Sequence, residues 1–286
     1  MSSWSILRPG RSRKGLYIGH CRPANLLWPT GLALHVTTHG PGVRGAGPTG
    51  TIDGMTWATH AVVLPGTGSD AVFARDAFSP ALETMGTVTS AIDPDPRRVV
   101  AGYEDALDDA ARRHGRIIVG GISIGAAVAL SWARRHPESI VGVLAALPPW
   151  LGEPGDAPAA LSARFTSARL GESGLDDVTA AMVASTPGWL SATLTRSWAS
   201  QWPDLPLALN EAASYAAPTI DDLRRTFVPT AIVAAVDDPV HPRAVADTWH
   251  TALPTSSLAT ITLDDIGRDA GILGIRTVSA LSSLLT

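Results

Sequence analysis

The segment Gly121-Ile122-Ser123-Ile124-Gly125 constrains this chain more than any other. It follows the apolar run Ile117-Ile118-Val119 and leads into a helical pattern from Ile124 to His136, which Pro137 ends. The backbone must therefore pass from a buried strand into a helix within a couple of residues. Glycines on both sides of a serine allow so tight a turn, because they lack the Cβ that would collide, and the serine is pushed to its tip in a strained conformation. With 27 glycines in 286 residues, the five-residue match alone means little. Its place between strand and helix gives it content; without that context Ser123 would read as an ordinary helix N-cap.

The rest of the chain alternates in the same way. Before the segment, Leu32 to Thr38, Thr51 to Thr59 and His60 to Leu64 read as strands and together suggest an antiparallel entry into a sheet. The loop Gly45-Ala46-Gly47-Pro48-Thr49-Gly50 fits a dinucleotide-binding spacing, but a strand-like stretch rather than a helix follows it, so it reads as a plain turn. A strand at Thr87 to Ile92 precedes a helix that Asp95-Pro96 should start, with Val99, Tyr103, Ala106, Leu107 and Ala110 on its apolar face. Strands follow at Arg116 to Gly120 and Ile140 to Leu147. The pattern resumes with a strand at Pro229 to Val236, a helix at Pro242 to Ala252, a strand at Leu258 to Leu263 and an amphipathic closing helix. This predicts an α/β fold with a doubly wound, mostly parallel sheet. Between the two parts, residues 148–227 form short helical patches broken by Gly and Pro and contain Trp150, Trp189, Trp198 and Trp202. They read as an inserted helical cap, with residues 1–147 and 228–286 as the core.

Composition excludes several classes. The hydrophobic content of 45% and net charge of -4 suit a globular protein with a substantial core and no broad nucleic-acid footprint. No apolar run is long enough for a membrane span, and Met1 to Lys14 lacks a signal-peptide core, so a cytoplasmic protein is expected. Cys21 is the only cysteine, which rules out an internal disulfide. Lys14 is the only lysine beside many arginines, a bias that suggests a GC-rich bacterial genome. Metal-binding, P-loop and other cofactor motifs are missing, so no cofactor is expected and the partner is a small-molecule substrate or ligand.

From about Leu32 to Leu285 the order and spacing of these segments resemble the α/β-hydrolase family, with Ser123 at the nucleophile elbow. The resemblance implies an oxyanion loop at Val62-Val63-Leu64-Pro65-Gly66-Thr67-Gly68-Ser69-Asp70, where proline stands in place of the family's usual histidine. By that analogy the amides of Thr67 and Ile124 would face a developing oxyanion. The family's acid would lie in Ala234-Ala235-Val236-Asp237-Asp238, with Asp238 the better match and Asp237 the neighbouring alternative, although either could merely cap the next helix.

The family's histidine should follow the last strand, but no histidine follows His250, and Asp264-Asp265-Ile266-Gly267-Arg268-Asp269 offers Arg268 in that slot. A guanidinium, with a pKa above about 12, stays protonated and cannot serve as a general base. Three readings follow. Arg268 pairs with Asp238 or Asp237, or clamps an anion, in a site with lost or changed chemistry; a base has moved; or the arginine is an altered position. For a moved base His241 is first, three residues beyond Asp238, with His39 and His60 more remote, although His241 taken alone reads as an exposed loop imidazole. His250 reads as lying on an outer helix face. The expected activity is hydrolysis of a small or medium apolar ester, thioester, amide or related carbonyl compound through Ser123. The alternatives are a lyase or cyclase on the same scaffold and a degenerate binding protein.

Overall fold

The computed structural model describes residues 57–286. In chain order the elements are β1 (His60–Leu64), α1 (Ala71–Thr84), β2 (Val88–Ala91), α2 (Val99–His114), β3 (Ile117–Ile122), α3 (Ile124–Arg135) and β4 (Ile140–Ala146). Then come four helices, α4 (Pro158–Ser185), α5 (Gly188–Gln201), α6 (Leu205–Ala212) and α7 (Ile220–Arg224). The chain closes with β5 (Thr230–Ala235), α8 (Arg243–Ala252), β6 (Ser256–Ile261), α9 (Leu263–Arg268) and α10 (Ile272–Leu285).

Among the described residues six strands form one sheet in the order β2-β1-β3-β4-β5-β6, and every pairing among them is parallel. His60 to Leu64, expected within an antiparallel entry, thus pairs in parallel with both its neighbours. A parallel sheet is covered on both faces, which is why its central strands are apolar throughout rather than alternating. Adjacent residues still serve different faces. Val62, Leu64, Ile117 and Val119 pack with Tyr103, Leu107 and Trp132 of α2 and α3. Ala61, Val63, Ile118 and Ile122 pack with Phe78, Leu82, Leu273 and Leu281 of α1 and α10 on the other side. Two indoles buried between the sheet and its helices have their polar ends paired: Trp132 Nε1 donates to Asp108 at 2.7 Å and Trp249 Nε1 to the Trp150 carbonyl at 3.2 Å.

The doubly wound parallel sheet is the architecture expected, and three local details differ. Asp95-Pro96 does not start α2: Asp95 Oδ1 accepts from Arg97 N in a turn, and the helix begins at Val99. Its first amides, Val99 N and Val100 N, donate instead to the Glu211 carboxylate of α6, at 2.8 and 3.0 Å. The stretch after β4 is less fragmented than its glycines suggest, since α4 runs 28 residues with one break at Gly174, where φ is 76°. Residues 262–268, expected as strand end and loop, form α9, because Thr262 and Asp265 make a reciprocal capping box. The strand expected at 32–38, the turn at 45–50, most of the strand at 51–59, and Cys21 lie outside the described residues. Among those described, no helix is long and apolar enough to cross a membrane.

Candidate active site

Ser123 stands between β3 and α3 with φ 54° and ψ -118°, a conformation that non-glycine residues rarely adopt. The packing around it holds this strain in place. Its amide donates to the Ala146 carbonyl of β4 at 2.9 Å. A Cβ on Gly121 would stand 2.8 Å from the Leu64 carbonyl oxygen, and one on Gly125 would stand 2.7 Å from that of Pro65. Both flanking positions must therefore be glycine for α3 to start directly behind the end of β1. Leu147, which ends β4 beside Ser123, is the other non-glycine residue with positive φ among those described, at 51°. Strain at the carboxyl ends of adjacent parallel strands marks the place where such folds bind ligands.

The loop after β5 supplies the side chains facing Ser123. His241 Nε2 lies 2.9 Å from Ser123 Oγ, and His241 Nδ1 lies 2.8 Å from Asp238 Oδ2. A carboxylate only accepts, so Nδ1 carries the proton and Nε2 is left as the acceptor for the serine hydroxyl. Asp238 Oδ1 also accepts from Val240 N at 2.7 Å and His241 N at 3.1 Å, which folds the intervening residues into a tight turn. The Asp238 side chain is 5% exposed and that of His241 16%. Burial alone would raise the Asp238 carboxyl, but the His241 ring, its charge when protonated and the two amides together hold it below the usual carboxylate value. The set is therefore a hydroxyl, an imidazole in a defined tautomer and a buried anion orienting it, arranged to draw a proton from Ser123.

Arg268 does not meet Asp238. Its guanidinium pairs with Asp264 and Asp265, one helical turn back on α9, and its side chain is 72% exposed. The physical reason is local: once the capping box folds residues 263–268 into a helix, the acidic residues three and four positions back are the nearest partners. Asp238 is meanwhile filled by its own turn. Asp237 is structural as well, accepting from Leu263 N at 2.8 Å and tying the loop after β5 to the start of α9.

Of the other histidines, His60 sits at the opposite, amino-terminal end of β1, 3.0 Å from Ser90 Oγ and stacked on His114. His250 is bonded to Ser256 on the outer end of α8, and His39 lies outside the described residues. Gly66, two residues after β1, packs against the serine, where an added Cβ would lie 3.5 Å from Ser123 Cβ, and Thr67 is the next residue in the chain. Ile124 is the first residue of α3, where an amide has no acceptor within its own helix. A separate surface cleft of about 380 Å³, lined by residues that include Glu104, Arg134, Arg135, Tyr215 and Asp222, does not include Ser123. Four of its charged side chains are paired, Arg134 with Asp222 and Arg135 with Glu104.

Arg196 and Gln201 gave no signal in the sequence, and Asp70 is singled out there only as the end of the implied oxyanion loop. They are brought together only when α5 lies against the loop after β1. Arg196 donates through Nε and Nη2 to both oxygens of Asp70, at 2.7 and 2.9 Å.

The parallel sheet and the strand-to-helix turn at Ser123 agree with an α/β hydrolase. It belongs to the alpha/beta hydrolase family, whose profile it matches over residues 29–266. Among solved structures it is similar to MenH from Staphylococcus aureus, with a TM-score of 0.62, 17% identity, and coverage of 82% of this chain and 97% of that one. A hydrolase from Pseudomonas aeruginosa has a TM-score of 0.59 and 22% identity over 82% of this chain and 92% of that one. A carboxylesterase structure from the ammonia-oxidizing thaumarchaeon Nitrososphaera gargenis has a TM-score of 0.62 and 13% identity over 80% and 91%. No match was found among curated proteins.

Proposed function

We propose that this protein is a serine hydrolase in which Ser123 is the nucleophile, His241 the general base and Asp238 the orienting acid. The observation that carries the reading is the continuous pair of contacts at 2.9 and 2.8 Å from Ser123 Oγ through the His241 ring to Asp238. The base and the acid then come from one turn, and the position after β6 that Arg268 occupies is not needed for the proton transfer. In the reaction His241 takes the Ser123 proton as Oγ attacks the substrate carbonyl, then returns it to the leaving group, and water releases the acyl group by the same route. The amides of Thr67 and Ile124 receive the charge that develops on the carbonyl oxygen.

The substrate class is a small or medium apolar ester, thioester or amide. The tryptophans between residues 150 and 202 support it, with helices α4 to α7 acting as a cap over the elbow. The structural likenesses, all under 25% identical, carry the fold and not a substrate. A cytoplasmic, bacterial setting belongs to the same proposal and rests on the single cysteine and the arginine-rich basic set.

Steady-state hydrolysis of p-nitrophenyl butyrate tests the assignment. Ser123→Ala and His241→Ala should each lower kcat by about 10⁴-fold or more, and the double variant should be little worse than either, because members of such a unit are not additive. Turnover that survives either single substitution overturns the assignment.

A further inference from the structure

Three consecutive residues of the loop after β1 are each held by one helix, α5. The Trp198 indole lies against Gly68, whose φ is 69° and where an added Cβ would come within 3.0 Å of Trp198 Nε1. Gln201 Nε2 donates to the Ser69 carbonyl at 3.2 Å and is itself fixed by Ser197 Oγ at 2.7 Å. Arg196 grips both oxygens of Asp70, which also caps α1 by accepting from Phe73 N at 3.0 Å. At the other end of the turn, Gly66 packs on Ser123, and its carbonyl accepts from Ser69 N at 3.0 Å. Thr67 is thus suspended between an anchor on the elbow and an anchor on α5.

We propose that α5 sets the position of the Thr67 amide, with Arg196 as the positioning residue and Gln201 as a weaker second, so that oxyanion stabilisation depends on α5 being docked. This rests on the reading of Ser123, His241 and Asp238 as the reacting unit. A bidentate guanidinium fixes a carboxylate in direction as well as distance, which a single contact does not. The Asp70 side chain is 8% exposed, so without Arg196 it would be left buried and unpaired, and the turn would shift to hydrate it.

The test compares kinetics and inhibitor binding in the full chain for Arg196→Ala, Arg196→Lys and Gln201→Met, with p-nitrophenyl butyrate as substrate. The inhibitor is phenylboronic acid, whose serine adduct is tetrahedral and anionic. Arg97→Ala is the control, since it breaks the exposed Arg97–Asp204 pair, which joins the turn before α2 to the residue preceding α6, outside the oxyanion loop. Arg196→Ala should lower kcat roughly 10- to 100-fold, the scale of misplacing a donor by an ångström, with KM changed by less than about threefold. Boronate affinity should fall by the same factor as kcat/KM, Arg196→Lys should recover part of both, and Arg97→Ala should retain parental values. If Arg196→Ala does not fold, parallel losses of kcat and boronate affinity in Arg196→Lys and Gln201→Met support the proposal. Parental kcat in the Arg196 and Gln201 variants, a loss confined to KM, or unchanged boronate affinity overturns it. If these variants are parental while Ser123→Ala is inactive, the positioning role alone fails; if Ser123→Ala is active, the assignment of the site fails with it.

Discussion

Asp238 and Arg268 show how near neighbours in sequence settle the fate of a charged side chain. Asp238 could have paired with a distant guanidinium, but its two oxygens are taken by the His241 ring and by two amides of its own turn. Arg268 finds carboxylates on its own helix and stays largely in solvent. Exposed pairs of this kind contribute little, so Arg268→Ala should leave both ester turnover and the thermal midpoint at parental values. A loss of turnover in that variant would return Arg268 to the site. The converse applies to Asp238. Asp238→Asn keeps the shape but lets the imidazole adopt the other tautomer, and kcat should drop by about 10⁴-fold while the protein remains folded by circular dichroism.

The elements were legible where their signals were local. Strand β3, the elbow and α3 follow from an apolar run, two glycines and a helical period, and they occur where those residues place them. The starts of α2 and α9 were less legible, for different reasons. Helix α9 has a local signal, the Thr262-x-x-Asp265 pair, which was masked by reading the segment as the end of a strand. Helix α2 takes its cap from Glu211, more than a hundred residues away, and no local pattern reveals such a partner. Removing it leaves two amides at the helix start without their acceptor. Glu211→Ala should therefore cost about 1 kcal/mol in urea denaturation, in the range of lost N-caps, whereas Asp95→Ala should cost less. Equal losses would argue that Asp95 is the true cap.

Acid stability depends on how α5 is tied to the loop after β1. Burial pushes the Asp70 carboxyl up, but the Arg196 guanidinium and the amides at the start of α1 bring it net below its usual value, as their counterparts do for Asp238. A carboxyl depressed on folding stabilises the native state above its unfolded pKa of about 3.9, and this contribution is lost as the pH falls from there through the folded value. Stability should accordingly drop below about pH 4, and Asp70→Asn should flatten part of that decline while lowering stability at neutral pH. An unchanged slope of unfolding free energy against pH in that variant would show that the pair contributes nothing to linkage.

Helical and strand periods, the apolar content of the central strands and the glycines around Ser123 were enough to define the sheet, its winding and the elbow. These depend on interactions a few residues long, or on burial that any parallel sheet demands. The imidazole that faces Ser123 was another matter. His241 follows Asp238 by three residues, and as a string that spacing fits an exposed loop as well as a turn that presents an imidazole to Ser123. Two carboxylate-to-amide bonds and the juxtaposition of the ends of β3 and β5, separated by over a hundred residues, make the difference. The contacts of α5 with the loop after β1 are of the same kind. They join chemistry from distant segments through packing, and packing is a property of the folded surface rather than of any stretch of residues.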